Sequence, residues 1–270
     1  MRARSDRSDL QARLTAAGLE WIVPDWPAAM GVHGLMTTRR GGIALGPRSS
    51  LDLGGADAPD DAVRVNRARL RAFLPEDPHW LHQVHGTRVI TIGAATSPAP
   101  PAWPEADAAV TATPGAVCVV RVADCLPVLI ADARGRCVGV AHAGWRGLAA
   151  GVVEATVEAL RALGSRDEVA WLGPAIGPAA FEVGPEVRDA FLAREATAAA
   201  AFVAGAPGKW HADLYTLGRL ALARAGVRTV TGGGWCTRTD AARFFSYRRD
   251  HGSGRMAACA WIEPACGASV

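Results

Sequence analysis

"RVADCLPVLIADARGRCVGVAHAGWRG", residues 121–147, is the stretch whose reading decides the fold. Two apolar runs flank the short polar turn "ARGR", which predicts strands over 128–132 and 137–141 joined as a hairpin. Pairing Asp132 with Cys137 brings Cys125 and His142 within about a residue of facing each other, where opposed Cα atoms lie roughly 4.5–5.5 Å apart. A thiol beside an imidazole is either part of a metal site or a nucleophile with its base. The bland alternative is a small buried cysteine and a loop histidine. Local pairing and the neighbouring residues weigh against it. Asp124 stands next to the thiol as a group that could orient or polarise a ligand. Gly144-Trp145-Arg146-Gly147 opens a helix directly after His142, and helix N-termini favour anions.

Outward from this unit, strand and helix signals alternate along the chain. Leu148, Val152, Val153, Val157, Leu160 and Leu163 recur at helical spacing, with Gly164 as the C-terminal cap. "EVAWLGPAI" reads as a buried strand, and "PEVRDAFLAREATAAAAF" and "ADLYTLGRLALARAG" as helices. "FFSYRRDHGSGRMAACAWI" reads as two strands joined by a Gly-Ser-Gly turn. Upstream, residues 1–30 predict an amphipathic helix, a short strand and a Trp-Pro loop. "MTTRRGGIALGPRSSLDLGG" predicts strand, loop, strand, and "DAPDDAVRVNRARLRAFL" a helix with Val63, Val65, Leu70 and Phe73 to one side. "HWLHQVHGTRVITI" turns from loop to strand, and the proline-rich "SPAPPAWPEADA" is a surface loop. Mixed strands and helices throughout give an α/β or α+β sandwich with no internal repeat.

The bulk numbers narrow the function classes. The chain has 270 residues, half of them hydrophobic, enough for a substantial core. A net charge of +3 with no basic run excludes a nucleic-acid footprint. Positive charge is nearly all arginine, Lys209 being the one lysine, and arginine suits phosphate and carboxylate. The most apolar stretch is broken by Arg121 and Asp124, so no membrane span is expected. The opening residues lack the apolar segment of an export signal. Six scattered cysteines then read as reduced thiols of a cytoplasmic protein.

A catalytic zinc needs three protein ligands and an open position. "LHQVHG" supplies His82 and His85 as the third donor, and spacing does not choose between them. His33, His79, His211 and His251 read as surface or structural histidines. Arg39, Arg146, Arg248 and Arg249 are the candidates for phosphate.

The phrases "TTRRGG", "LHQVHG", "ADCLPVLI", "VGVAHAGWRGL", "LGPAIGPAAFEVGPEV" and "FFSYRRDHGSGRMAACAWI" resemble, in order and spacing, the laccase-domain family. This family is also called the polyphenol oxidase or purine nucleoside phosphorylase family, and it includes the peptidoglycan editing factor. The resemblance implies a single-domain four-layer α/β/β/α sandwich with mixed sheets over 1–270, with residues 1–30 as an N-terminal extension. It implies metal ligands at His85, Cys125 and His142, and phosphorolysis of adenosine, inosine and methylthioadenosine with adenosine deamination; the metal is read as zinc, with copper as the lesser alternative. Asp52 stands where the family usually shows Asn, and Ala175, Ala179 and Ala180 where relatives often have cysteines.

Three chemistries compete for these residues. Seven scattered histidines cannot build a multicopper cluster, so laccase activity would be incidental. A zinc enzyme acting on purine nucleosides uses Cys125 as ligand, with small-molecule substrate and phosphate as its partners. A Cys/His hydrolase editing a muramyl precursor uses Cys125 as nucleophile and His142 as base; such a sandwich resembles that of a bacterial toxin deamidase. A zinc-stabilised binding module would need a fourth protein ligand, and Cys125 has no partner at CxxC spacing.

Overall fold

The computed structural model describes residues 3–55, 60–93 and 103–264. The deciding hairpin is formed by strands β6 (Leu126–Asp132) and β7 (Val138–Ala143), which pair antiparallel with Pro127 opposite His142. Its turn is held by the buried Asp132 carboxylate. That group accepts from the amides of Arg134, Arg136 and Arg166, from Ser165 Oγ, and from two nitrogens of the Arg136 guanidinium at 2.8 and 2.9 Å.

Side-chain alternation on this hairpin generates the layers. Leu126, Val128, Ile130 and Ala141 face one core, whereas Leu129, Ala131, Val138 and Val140 face another. The hairpin is the middle of a six-stranded mixed sheet. Its outer strands are β8 (Glu168–Leu172) with β12 (Thr229–Gly232) on one side, and β4 (Ala108–Thr111) with β3 (Val89–Ile92) on the other. The β3–β4 and β8–β12 pairs are parallel and the rest antiparallel.

A second, four-stranded sheet has the order β1 (Val32–Met36), β13 (Met256–Ile262), β5 (Val117–Val122), β2 (Pro78–His79). On β13, Met256, Ala258 and Ala260 point toward the six-stranded sheet, while Ala257, Cys259 and Trp261 point to the outer layer. That outer layer holds Leu10 and Leu14 of α1 (Ala3–Ala16) and Leu70 of α2 (Asp61–Arg71). On the far side, α3 (Trp145–Ala150), α4 (Val152–Ala162), α5 (Pro185–Leu192) and α6 (Leu214–Arg224) cover the six-stranded sheet. The result is the α/β/β/α sandwich. A small three-stranded sheet, β9 (Glu182–Val183), β11 (Trp210–Ala212) and β10 (Phe202–Ala204), joins the helical side.

Several local expectations are corrected. The helix after His142 is two helices, broken at Gly151 (φ 107°), where a Cβ would lie 2.9 Å from Arg194 Nη1. The alanine-rich tail of the next helix is a 3-10 segment, Ala196–Ala201. The chain leaves the helix there as Arg194 turns to the Ala149 carbonyl and Glu154, and Glu195 to Arg224. "SSLDLGG" forms no strand; buried Asn66 replaces the ladder by donating to the Ser50 and Asp52 carbonyls. The same helix therefore turns Asn66 inward and leaves Val65 exposed. The N-terminal strand shrinks to one bridge, Ile22 to Met36. "FFSYRRDHGSGRMAACAWI" holds one strand, not two. Phe244 and Phe245 fill the space between the sheets, and Ser246 then caps the single-turn helix α7 (Tyr247–Asp250) by accepting from the Arg249 amide. The first half of the proline-rich loop, 97–102, and Cys266 lie outside the described residues.

The Asp132 staple gives a stability test. Hydrogen bonds from Arg136, outweighing burial, hold its carboxyl well below the usual carboxylate range. Its contribution is thus present above the unfolded value of about 3.9 and is lost as pH falls below it. Asp132→Asn is expected to cost about 2–4 kcal/mol in urea unfolding at pH 7. The gap between variant and wild type should hold down to about pH 4 and narrow progressively below it.

Candidate metal centre and cleft

Cys125 precedes β6 and His142 lies on β7, both on the face that looks toward the other sheet. Continuing the register puts Cys125 opposite Gly144, one diagonal from His142. Gly144 leaves the room that the site occupies. A Cβ there would lie 2.8 Å from His85 Cδ2 and 3.0 Å from Cys125 Sγ. Gly147, in the first turn of α3, lets that helix approach the Gly86 carbonyl, which a Cβ would meet at 2.8 Å.

His85 arrives on the loop between β2 and β3 with a left-handed backbone (φ 62°). Its Nε2 is 3.7 Å from Cys125 Sγ, and its ring meets that of His142 edge-on at a centroid distance of 4.7 Å. One donor atom from each of His85, Cys125 and His142 lies within 4.8 Å of the others. Among the described residues no other group of three or more such side chains does this. His82 is exposed and lines the cleft without joining the cluster. Two imidazoles and a thiolate, with one side open to the cleft, suit a four-coordinate ion with one position left free.

Asp107, at the β4 entrance, is a residue that sequence reasoning passed over. It is fully buried and accepts from His142 Nδ1 at 2.8 Å. It also accepts from the amides of Val84, His85 and Gly86. The signal was an acid entering an otherwise apolar strand directly after a proline-rich loop. Asp124, expected to serve the thiol's neighbourhood, is instead a structural tie (φ 86°). Its carboxylate accepts from Thr237 Oγ1, Ser246 Oγ and the Arg248 amide at 2.6, 3.0 and 2.7 Å.

Burial opposes ionisation of the Cys125 thiol, but the charge and hydrogen bond of His142, followed by those of His85, bring it down to about 6. Burial likewise opposes a charged His142, yet the Cys125 thiolate and then Asp107 lift it to about 9. Each group thus favours the charged form of the other. The thiolate is the form that ligates metals and attacks electrophiles.

Above the cluster opens a cleft of about 660 Å³, a size that suits small organic ligands. Of the arginines proposed for phosphate, Arg146 and Arg248 line it. Arg39 does not. Its guanidinium donates to the Ser49 and Ala241 carbonyls and sits over the Phe245 ring. Arg249 is likewise absorbed, by Asp250 and by the Thr237, Arg238 and Phe244 carbonyls. In their place the cleft gains Arg121 and Arg255. Arg121 was legible as a lone charge inside the apolar strand "VCVVRV". Arg255 is positioned by Asp52, whose carboxylate accepts the Arg255 and Gly54 amides and an Arg48 nitrogen. Phe181, Ile176, Leu214 and Trp145 form apolar lining. The anion cradle expected after His142 is the start of α3, a helix of six residues.

His33 stacks on Trp261 and pairs with Glu263. His79, His211 and His251 stay outside the cleft lining. A second cleft, about 530 Å³, contains Cys236 but no histidine among its lining residues. Among the described residues no helix is long and apolar enough to cross a membrane.

Comparison with known proteins places this arrangement. Residues 33–263 match the family model described as multi-copper polyphenol oxidoreductase laccase. The purine nucleoside phosphorylase of Pseudomonas aeruginosa is 50% identical over 90% of this chain and 98% of its own length. Purine nucleoside phosphorylase YfiH of Escherichia coli is 50% identical, over 89% and 98%. The crystal structure of Neisseria meningitidis protein NMB0706 superposes with a TM-score of 0.82 at 43% identity, covering 90% of this chain and 99% of that one. With the match spanning most of its length and every strand of both large sheets except β1's first residue, the chain belongs to the multi-copper polyphenol oxidoreductase laccase family.

Proposed function

We propose that this protein is a zinc-dependent purine nucleoside phosphorylase acting on adenosine, inosine and methylthioadenosine, with adenosine deamination as a further activity. One observation carries the reading: a His85–Cys125–His142 cluster at the floor of a cleft that has both arginine and apolar lining. Relatives at 50% identity over nearly their full length carry the phosphorylase name. We take the whole chain as one cytoplasmic domain.

The division of labour follows from the lining. Arg146, Arg248 and Arg255 supply positive charge for phosphate, with planar forks that suit its oxygens. Arg255 joins this set and Arg39 leaves it, on the geometry above. Phe181, Ile176 and Leu214 offer apolar surface to a purine. Asp124 is not available as a proton donor, because two hydroxyls and an amide already occupy its oxygens. His85 Nε2, Cys125 Sγ and the ring nitrogen of His142 turned away from Asp107 would hold the ion. Zinc bound there supplies a Lewis acid that stabilises developing negative charge. The same donors would also accept copper, so the reading of zinc is tested by elemental analysis.

The low Cys125 value and the Asp107–His142 hydrogen bond favour a second reading, a thiol hydrolase acting on a muramyl amino-acid precursor. Metal content separates the two, since a thiolate engaged by zinc is a poor free nucleophile.

Purified protein is expected to carry about one zinc per chain by elemental analysis. Cys125→Ala should lose metal and activity together; retained metal would mean that the ligand set is different. Hypoxanthine release from inosine, followed by chromatography, is expected only when phosphate is supplied. Equal release without phosphate would mark a hydrolase. No release, with turnover of a muramyl precursor, would establish the editing reading.

A further inference from the structure

We propose that Asp107 is the positioning residue of the centre: one buried carboxylate sets both imidazoles, His85 through its backbone and His142 through its ring, and so preforms the ligand set. This role rests on the metal reading above, but not on which substrate is turned over.

Four donors converge on the two oxygens. Oδ1 accepts from the His85 amide at 2.9 Å and from His142 Nδ1 at 2.8 Å. Oδ2 accepts from the Val84 amide at 3.1 Å and the Gly86 amide at 2.7 Å. The main chain of Asp107 joins in, its carbonyl accepting from the His142 amide at 2.7 Å and its amide donating to the Arg88 carbonyl. Every partner of the side chain is a donor, so the site calls for a carboxylate and not for an isosteric amide.

Two consequences follow for the ligands. Accepting from Nδ1 fixes the orientation of the His142 ring and retains the Nδ1 proton, so Nε2 is the nitrogen that faces the cleft and gives up its proton when an ion binds. Collecting three successive amides holds the loop in the left-handed turn at His85, a conformation costing about 1–2 kcal/mol for an L-residue. Gln83 pins the same loop from the other side, its amide donating to the Arg121 carbonyl and its oxygen accepting from the Arg121 amide. Without the carboxylate, His85 would lose the contacts that aim it at Cys125.

The test compares zinc affinity and cobalt spectra of the full chain. Asp107→Asn places an amide NH₂ against backbone or imidazole donors in either orientation. It is expected to lower zinc affinity by about 10–100-fold in a competition titration with a chromophoric chelator. On the cobalt-substituted protein, the visible ligand-field bands should change while the thiolate-to-metal band, which reports Cys125, persists. Glu168→Gln, which loses the ion pair with Arg161 away from the cleft, serves as a reference for general destabilisation and should keep wild-type affinity and spectrum. If Asp107→Asn does not fold, Asp107→Ser, which presents no opposing amide hydrogens, carries the same expectation. Zinc binding within about twofold of wild type, with an unchanged spectrum, overturns the positioning role alone. A wild-type chain that binds neither zinc nor cobalt overturns the metal reading and this role with it.

Discussion

The register of β6 against β7 connects the layered fold to the chemistry, because successive side chains on a strand point to opposite faces. With Pro127 opposite His142, the imidazole shares a face with Leu129 and Val140 and looks into the space between the sheets. A slip of one residue would send His142 to the helical side and bring Ala141 and Ala143 inward. The Asp132 staple at the turn and the apolar cores on both faces oppose that slip. Sheet packing and ligand placement thus obey the same constraint.

Much of this was legible in the residues themselves. Periodicity marks β6, β7, β8 and α6, and the fold-back of Cys125 toward His142 follows from the length of the turn. Even so, the facing position of Cys125 is taken by Gly144, and the thiol meets the imidazole on a diagonal. The choice of His85 over His82 was not legible locally, because it depends on a loop held from a distance by Asp107 and Gln83. Misread segments share one physical cause. At Ser50, Asp52 and Phe244–Phe245 the chain is buried like a strand, yet side chains such as Asn66 and Arg249 satisfy its carbonyls in place of a ladder. Hydrophobic pattern reports burial there, not hydrogen bonding.

The arginines show the same limit from the polar side. Arg39 and Arg249 carry the residue type expected of anion binders, but backbone carbonyls already engage them. Arg121 is buried too, its guanidinium donating to the Gly54 and Leu81 carbonyls and packing against Trp103, and it still reaches the cleft wall. Such ties give the rim of the site fixed charges on a stiff frame, which lowers the reorganisation needed when an anion arrives.

Cys125 and Asp124 occupy the short corner where the chain crosses from β5 in one sheet to β6 in the other. The Asp124 carboxylate fastens that corner to Thr237 and Ser246, residues from a distant part of the chain. The thiol is consequently mounted on the seam of the sandwich. Motion that parts the layers would therefore strain the corner that carries the sulfur, while the β6–β7 pairing still keeps it beside His142.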